Sequence, residues 1–224
     1  MSLAAALLDA ARPYDMAASS FVQRVQRGEA TSESLRDWAT MLYAMAARFP
    51  RNLSAVLSVC DDRTVRRFIL RNLAEEEGLV SFGAGGSARF DDAMHHTTLA
   101  TRFARALGAS EDDLRTASVE PSRWFRSALD SGNWLGATAF FSVGIEANVP
   151  RTFSLLIEPL QDRYGFSPHD LTFLTEHLGA DERHGVEAAE LLAGIAATPV
   201  MEQQALEGAR RGGTSWWTFH RLLR

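Results

Sequence analysis

Apolar residues recur at three- and four-residue spacing along most of this chain, and no run of useful length alternates apolar with polar residues. That spacing places apolar side chains on one face of a helix, whereas a half-buried strand needs the missing alternation. The sequence therefore predicts an all-α fold. With 224 residues, 46% of them hydrophobic, and no dividing linker, we expect one helical domain over residues 1–224.

Proline, glycine and capping residues mark the expected ends of the helices. One amphipathic helix, which begins near Thr31, is expected to end at Pro50. A glycine-rich loop over residues 78–91 follows the next helix, and helical spacing resumes near Asp92. The last long helix, LTFLTEHLGADERHGVEAAELLAG, follows a capping-type run that starts at Ser167.

Charge and cysteine content exclude several classes of function. The formal net charge of -5 leaves no broad basic surface, so nucleic acid is not expected as a partner. Cys60 is the single cysteine, which excludes an intrachain disulfide or a thiolate-rich metal site and favours a cytoplasmic protein. No stretch approaches the length of a membrane span, so we expect no membrane partner.

The last long helix carries three potential metal ligands on one face. His177, Asp181 and His184 stand at positions i, i+4 and i+7, and at about 100° per residue their side chains project in similar directions on successive turns. Two imidazoles and a carboxylate suit iron, manganese or zinc. The competing interpretation is a solvated polar face, which is the commoner fate of such a stripe.

Glu146 is the only ionisable residue in the apolar run over residues 135–149. If it is buried, its carboxylate must be paired, protonated or bound to a cation. The alternative is that Glu146 lies at a helix end, one turn before Pro150, and reaches water.

A third group of candidates is the acidic run Glu75, Glu76 and Glu77, followed across the glycine-rich loop by His95 and His96. Three consecutive acids cover nearly the whole circumference of a helix, so one must face inward if the helix packs on its neighbours. The amphipathic pattern does not say which one, and a solvated helix end is the alternative.

These residues together resemble the haem-oxygenase-like di-iron oxidases and oxygenases. The resemblance covers about Trp38 to Leu192. The segment NLAEEEG over residues 72–78 is similar to the helix end that supplies a glutamate in that family, and His96 has the family's spacing to the following LATRFARALG. The segment MLYAMAARFP over residues 41–50 also looks like the family's tyrosine-bearing second helix.

The resemblance implies a seven-helix fold and two non-haem irons that react with dioxygen. Relatives carry out N-oxygenation, oxidative cleavage of carbon chains or decarboxylation on small substrates; an external electron donor and a homodimer are left open. Carried over residue by residue, the implied metal ligands are Glu76, His96, Glu146, His177, Asp181 and His184.

One departure from the family concerns the connection between Glu76 and His96, which is longer here than in many relatives. The extra length makes His95, Asp91 and Asp92 rival ligands. Because glycine-rich segments often close over sites, the insert is interpreted as a lid over the substrate.

Aromatic and basic residues near the predicted site are candidates for substrate contacts, although core packing and a solvated surface are their ordinary roles. The aromatic candidates are Trp134, Phe140, Phe141 and Phe173, and the candidates for pairing with a substrate carboxylate are Arg123, Arg126 and Arg151.

Other functions on the same fold have different requirements. A TenA-like hydrolase needs a nucleophilic cysteine, for which Cys60 is the only candidate. A haem oxygenase needs an axial histidine in its first helix, and no histidine precedes His95. A non-enzymatic protein with structural metal ligands is the third alternative.

Overall fold

The computed structural model describes residues 1–82 and 88–223. The regular secondary structure of these residues is helical apart from one short hairpin, so the predicted all-α class is confirmed. Several helical paths are broken into short pieces, which gives more segments than the expected seven. The α-helices are α1 (Leu3–Ala10), α2 (Ser20–Arg27), α3 (Ser32–Val59), α4 (Arg63–Glu76), α5 (His96–Ala106), α6 (Glu111–Thr116), α7 (Arg123–Asp130), α8 (Trp134–Thr138), α9 (Val149–Ser154), α10 (Ile157–Tyr164), α11 (Thr172–Ile195) and α12 (Pro199–Arg221).

Helix α3 passes through Pro50, so the prediction that this proline ends the helix is wrong. Proline has no N–H group, and the carbonyl four residues earlier, that of Ala46, therefore loses its helical partner. The helix continues because buried residues on both sides of the proline, Phe49 and Leu53, pack into the core. Tertiary packing here outweighs the local cost of proline.

The glycine-rich insert contains an antiparallel hairpin that the sequence did not predict. Strand β1 (Leu79–Phe82) pairs with β2 (Ala88–Phe90), and residues 83–87 lie outside the described residues. Gly78 has a φ of +87°, and a Cβ there would lie 2.6 Å from the carbonyl oxygen of Asp91. Glycine at this position lets the chain before β1 and the chain after β2 approach closely. The sequence predicted that the next helix begins near Asp92, but α5 begins later, at His96.

The chain stays helical from α8 to α9 through a π-helical segment (Ala139–Ile145) and a 3₁₀ turn (Glu146–Asn148). Helix α12 lies against this path so closely that a Cβ on Gly212 would lie 2.0 Å from the carbonyl oxygen of Phe140. The path is therefore buried, and Glu146 does not reach water at a helix end, contrary to one interpretation of the sequence.

The buried apolar side chains form one cluster that extends from Leu7 to Leu223. Within it, His220 donates from Nδ1 to the carbonyl of Trp216 at 3.0 Å and accepts from the indole N–H of Trp38 at 3.3 Å. Burial lowers the pKa of His220 to about 4, so this histidine is neutral and structural at neutral pH. Across residues 1–82 and 88–223, helices are too short or too polar to cross a membrane.

Candidate metal centre

The three candidates on α11 are all buried, so the interpretation of a solvated polar face does not hold for them. The Nδ1 atom of His177 donates to the carbonyl of Phe173 at 2.6 Å. That bond fixes the ring and leaves Nε2 with a free lone pair. A histidine held in this way by a backbone carbonyl has the usual arrangement of a metal ligand.

Donor atoms of Glu76, His96 and His177 all lie within 4.8 Å of one another. Oε2 of Glu76 and Nδ1 of His96 are 2.9 Å apart, but that nitrogen makes no hydrogen bond. Two ligands of one metal ion, each about 2.1 Å from it, also lie roughly 3 Å apart. The two atoms are therefore placed to share a third partner.

A second group of donors lies around His184. Its Nδ1 atom is 3.8 Å from Oε2 of Glu146 and 3.8 Å from Oδ1 of Asp181. Its other nitrogen, Nε2, lies 2.8 Å from Oε2 of Glu75. Glu75 thus holds the ring on the side away from the two carboxylates, as an outer carboxylate does for a metal-binding histidine.

Glu146 has the strongest need for a cation in the site. Its side chain is buried, and Asn72 donates to its Oε1 at 2.8 Å. The other oxygen, Oε2, has no hydrogen-bond partner. Burial raises the pKa of Glu146 to about 8, because the charged form loses its hydration.

Two of the three site histidines, His184 and His96, gain protons more readily than free histidine does. Burial lowers the pKa of His184, but its contacts with Asp181 and Glu75 and the charge of Glu146 outweigh that and raise the pKa to about 10. For His96, burial is likewise the largest single cause and lowers the pKa, but the charge and contact of Glu76 together with the charge of Asp181 outweigh it and raise the pKa. Protons can therefore stand in for positive charge among these carboxylates, and a metal ion must displace them.

The structure thus brings the six predicted ligands into one buried region of the bundle, as two groups of three. These donors are carboxylates and imidazoles, a set that fits iron. The groups are Glu76, His96 and His177, and Glu146, Asp181 and His184.

The rival ligands lie elsewhere. His95 caps α5 by accepting from the N–H of Thr97, and its Nε2 lies 3.3 Å from Glu77. Asp91 accepts from the N–H of Ala93 in the turn after the hairpin. Asp92 is exposed.

Cys60 shows none of the properties of an activated nucleophile. It is buried, and burial raises the pKa of its thiol. An activated cysteine needs the opposite shift, toward the thiolate. The structure thus gives the hydrolase alternative no support.

A cavity of about 40 Å³ adjoins the candidate ligands and is large enough for a few waters or a small molecule. Phe173 lines it, as expected for a residue at the substrate, together with Leu42, Met45, Phe49 and Phe153. Its walls include four of the ligand candidates, and no described arginine lines it. These four are Glu76, Glu146, His177 and Asp181.

The other substrate candidates lie outside this cavity. Phe140 and Phe141 are buried next to it, whereas Trp134 packs at the start of α8. Arg126 lies 3.5 Å from Glu120, and Arg151 lies 3.1 Å from Asp15. Arg123 is exposed.

Sequence reasoning missed the supporting roles of Glu75 and Asn72. Glu75 was considered only as an alternative to Glu76, and Asn72 only as part of a matching segment. Helix geometry contained a partial signal, because Asn72 and Glu76 are four residues apart and share a face of α4. Nothing in the sequence indicated that Glu75 would contact His184 on α11.

A family model described as an iron-containing redox enzyme matches residues 36–217. The chain belongs to this family. The resemblance to haem-oxygenase-like iron enzymes is thereby confirmed, and so is the expectation of an oxidoreductase that contains iron. The haem-oxygenase-like fold of the family agrees with the helical structure described above.

Two curated relatives are both called 4-aminobenzoate synthase. The protein from Chlamydia trachomatis is 30% identical over 180 residues, which cover 77% of this chain and 71% of the relative. The protein from Chlamydia muridarum is 30% identical over 179 residues, which cover 77% and 70%. Both similarities support membership of a family of biosynthetic redox enzymes.

Solved structures with the same fold are more distant in sequence. A TenA homologue from Pseudomonas syringae pv. tomato has a TM-score of 0.70 and 14% identity, covering 97% of this chain and 86% of that one. A domain of unknown function with a haem-oxygenase-like fold, from Shewanella denitrificans, has a TM-score of 0.64 and 16% identity, covering 97% and 87%. At such identities the likeness concerns the fold alone.

Proposed function

We propose that this protein is a non-haem di-iron enzyme that uses dioxygen to oxidise a small carboxylic-acid or amino-acid-like substrate in biosynthesis. The observation that carries the proposal is Oε2 of Glu146, a buried carboxylate oxygen without a hydrogen-bond partner that faces Nδ1 of His184. Such an oxygen is costly unless a proton or a metal ion reaches it. The two groups of donors, three residues each, support two metal positions.

Each side chain has a definable task at this site. His177 and His184 are oriented by Phe173 and Glu75, so their free nitrogens need little rearrangement to bind iron. The carboxylates favour the oxidised, more highly charged metal. When bound, the iron supplies the electrons that reduce dioxygen, which none of these side chains can do. The apolar cavity keeps water away from the reacting groups.

Metal analysis and oxygen consumption test the proposal directly. Purified protein is loaded anaerobically with ferrous iron, its metal content is measured, and oxygen uptake and the optical spectrum are followed after air is admitted. We expect about two irons per chain and an oxygen-dependent spectral change. Screening amino acids and fatty acids for faster oxygen uptake then identifies the substrate class.

Two variants at the site and one histidine control make the test specific. His177→Ala and Asp181→Ala should lose iron uptake, whereas His169→Ala, at an exposed turn, should retain it. Failure to bind iron would refute the proposal. Iron bound without any reaction with oxygen would favour the non-enzymatic metal-binding alternative.

The names of the curated relatives suggest a narrower candidate, the synthesis of 4-aminobenzoate. It is tested by expressing this chain in a bacterial strain that cannot make 4-aminobenzoate. Growth without supplement, lost in the His177→Ala variant, would support it. No growth, with the protein present and loaded with iron, would leave the other oxidations as the proposal.

A further inference from the structure

A second and larger cavity, of about 360 Å³, lies beside the metal cavity; we call it the outer chamber. Met45, Ile145 and Trp216 line both cavities. These three side chains therefore form the wall between the outer chamber and the metal ligands. The metal cavity, about 40 Å³, is too small for most organic substrates, whereas the outer chamber has the size of a ligand site.

The body of the outer chamber is apolar and its rim is polar. Phe140, Phe141 and Phe219 contribute aromatic surface, and further apolar surface comes from Val119, Pro121 and Leu222. Polar groups come from α3, from the segment before α7 and from the end of α12. They are Arg48, Asn52, Glu120, Ser122, Thr214, Ser215 and Thr218. A long apolar molecule with one polar end matches this distribution.

The charges at the rim favour an anionic end. Arg48 is 3.8 Å from Glu120 and donates to the hydroxyl of Ser118 at 3.2 Å. Glu120 is also 3.5 Å from Arg126, so two cations surround one exposed carboxylate. Exposed pairs of this kind contribute little energy. A ligand carboxylate can therefore bind Arg48 through two hydrogen bonds while Glu120 keeps Arg126 as its partner.

The wall has one side chain suited to move. Trp216 is held by a hydrogen bond from its indole N–H to Thr152 at 2.8 Å and is buried. Ile145 is branched and lies in the π-helical segment. Met45 is unbranched and partly buried, so it can change rotamer at little cost. Helix α3 runs along both cavities. At 1.5 Å per residue, it extends about 15 Å from Leu42, which lines the metal cavity, to Asn52, which lines the outer chamber.

We propose that the outer chamber binds an elongated carboxylic acid, with its carboxylate on Arg48 and its apolar end passing Met45 toward the metal centre. The substrate is then oxidised at the end remote from its carboxylate. This inference rests on the proposed function for the oxidation itself, but the binding mode does not depend on iron chemistry. It also assigns specificity to Arg48, a residue that the sequence did not single out.

Calorimetry with octanoate tests the binding mode, with octan-1-ol as a probe that lacks the charge. Both probes are titrated into metal-free and manganese-loaded protein. Arg48→Gln should weaken octanoate binding about ten- to hundredfold in both forms and leave octan-1-ol unchanged. Arg67→Gln, an exposed arginine on α4, is the matched control and should bind both probes as the unmodified protein does.

A second variant tests the passage past Met45. Met45→Trp should narrow the wall and exclude decanoate while retaining hexanoate, whose shorter chain stays within the outer chamber. Thermal unfolding of each variant checks that the fold is kept. If decanoate binds Met45→Trp and the unmodified protein equally well, the proposed path is wrong.

Three results would overturn the proposed binding mode. The first is equal octanoate affinity in Arg48→Gln and the unmodified protein. The second is octanoate binding that requires metal and is unchanged by Arg48→Gln, which would place the carboxylate on the metal. The third is that hexanoate, octanoate and decanoate all fail to bind. Because binding is measured without turnover, these failures are distinct from failure to react with oxygen, which would refute the di-iron oxidase alone.

Discussion

The candidate metal centre has two halves that are built differently. The outer half consists of the last residue of α4, Glu76, and the first residue of α5, His96. The inner half comes from the middle of α11 and from the buried path between the π-helical segment and α9. It consists of Glu146, His177, Asp181 and His184.

The packing around each half explains the difference. Behind the inner half, α12 approaches so closely that a Cβ on Gly144, two residues before Glu146, would lie 2.6 Å from the carbonyl oxygen of Ala209. The outer half lies at two helix ends, where backbone groups have fewer helical partners, and a hairpin connects them. A tightly packed half fixes where metal binds, while ligands at helix ends can adjust as it enters.

The largest expected effect is on the packing of the inner half. Gly212→Ala places a methyl group against the carbonyl of Phe140 and should lower the free energy of unfolding by about 3 kcal/mol or more. Gly194→Ala, in the exposed last turn of α11 with nothing within 4 Å, should instead raise it by roughly 0.5 to 1 kcal/mol. Urea unfolding measures both. Similar stability of the two variants would show that α12 does not hold this half in place.

The acidic run of the outer half gives a graded series. Glu76→Gln removes a proposed ligand and should weaken metal binding more than about a hundredfold, while Glu75→Gln removes the support of His184 and should weaken it about ten- to hundredfold. Glu77→Gln is the control, because Glu77 contacts His95 outside the site. Competition with a metal chelator measures the affinities. A larger effect for Glu77 than for Glu76 would mean that the predicted ligand is wrong.

The smallest expected effect is the pH dependence of metal uptake. The pKa of Glu146 is raised to about 8 and that of His184 to about 10, so both groups carry protons at pH 7 in the metal-free protein. Metal binding should therefore release about two protons, and affinity should fall as pH is lowered from 8 toward 6. Zinc addition in weak buffer with a pH indicator measures the release. Metal uptake that releases no protons would contradict this assignment.

The sequence predicted the inner half better than the outer half. Asp181 and His184 could be placed because one helix carries them at fixed spacing, and Glu146 because it interrupts an apolar run. At the outer half, residue spacing left Glu75, Glu76 and Glu77 equivalent. The family resemblance alone selected Glu76 and His96, and the structure places both in the site.

The errors in the predicted fold have local causes. Pro50 is tolerated because α3 packs into the core on both sides of it, and the sequence of α3 alone does not show that packing. The hairpin was missed because its strands are short and flank a glycine-rich stretch. Strands of four and three residues are too short to show a clear alternation of apolar and polar residues. The lid interpretation depends on residues 83–87, which lie outside the described residues.

The sequence by itself determined the helical class and the chemical types of the candidate ligands, because both follow from residues that are neighbours along the chain. Only the tertiary structure decided that Glu75 supports His184, that Asn72 holds Glu146, and that an apolar chamber adjoins the metal centre. These features join residues that are far apart in the sequence. Helix periodicity predicts which face of a helix is apolar, but it does not predict which other helix packs against that face.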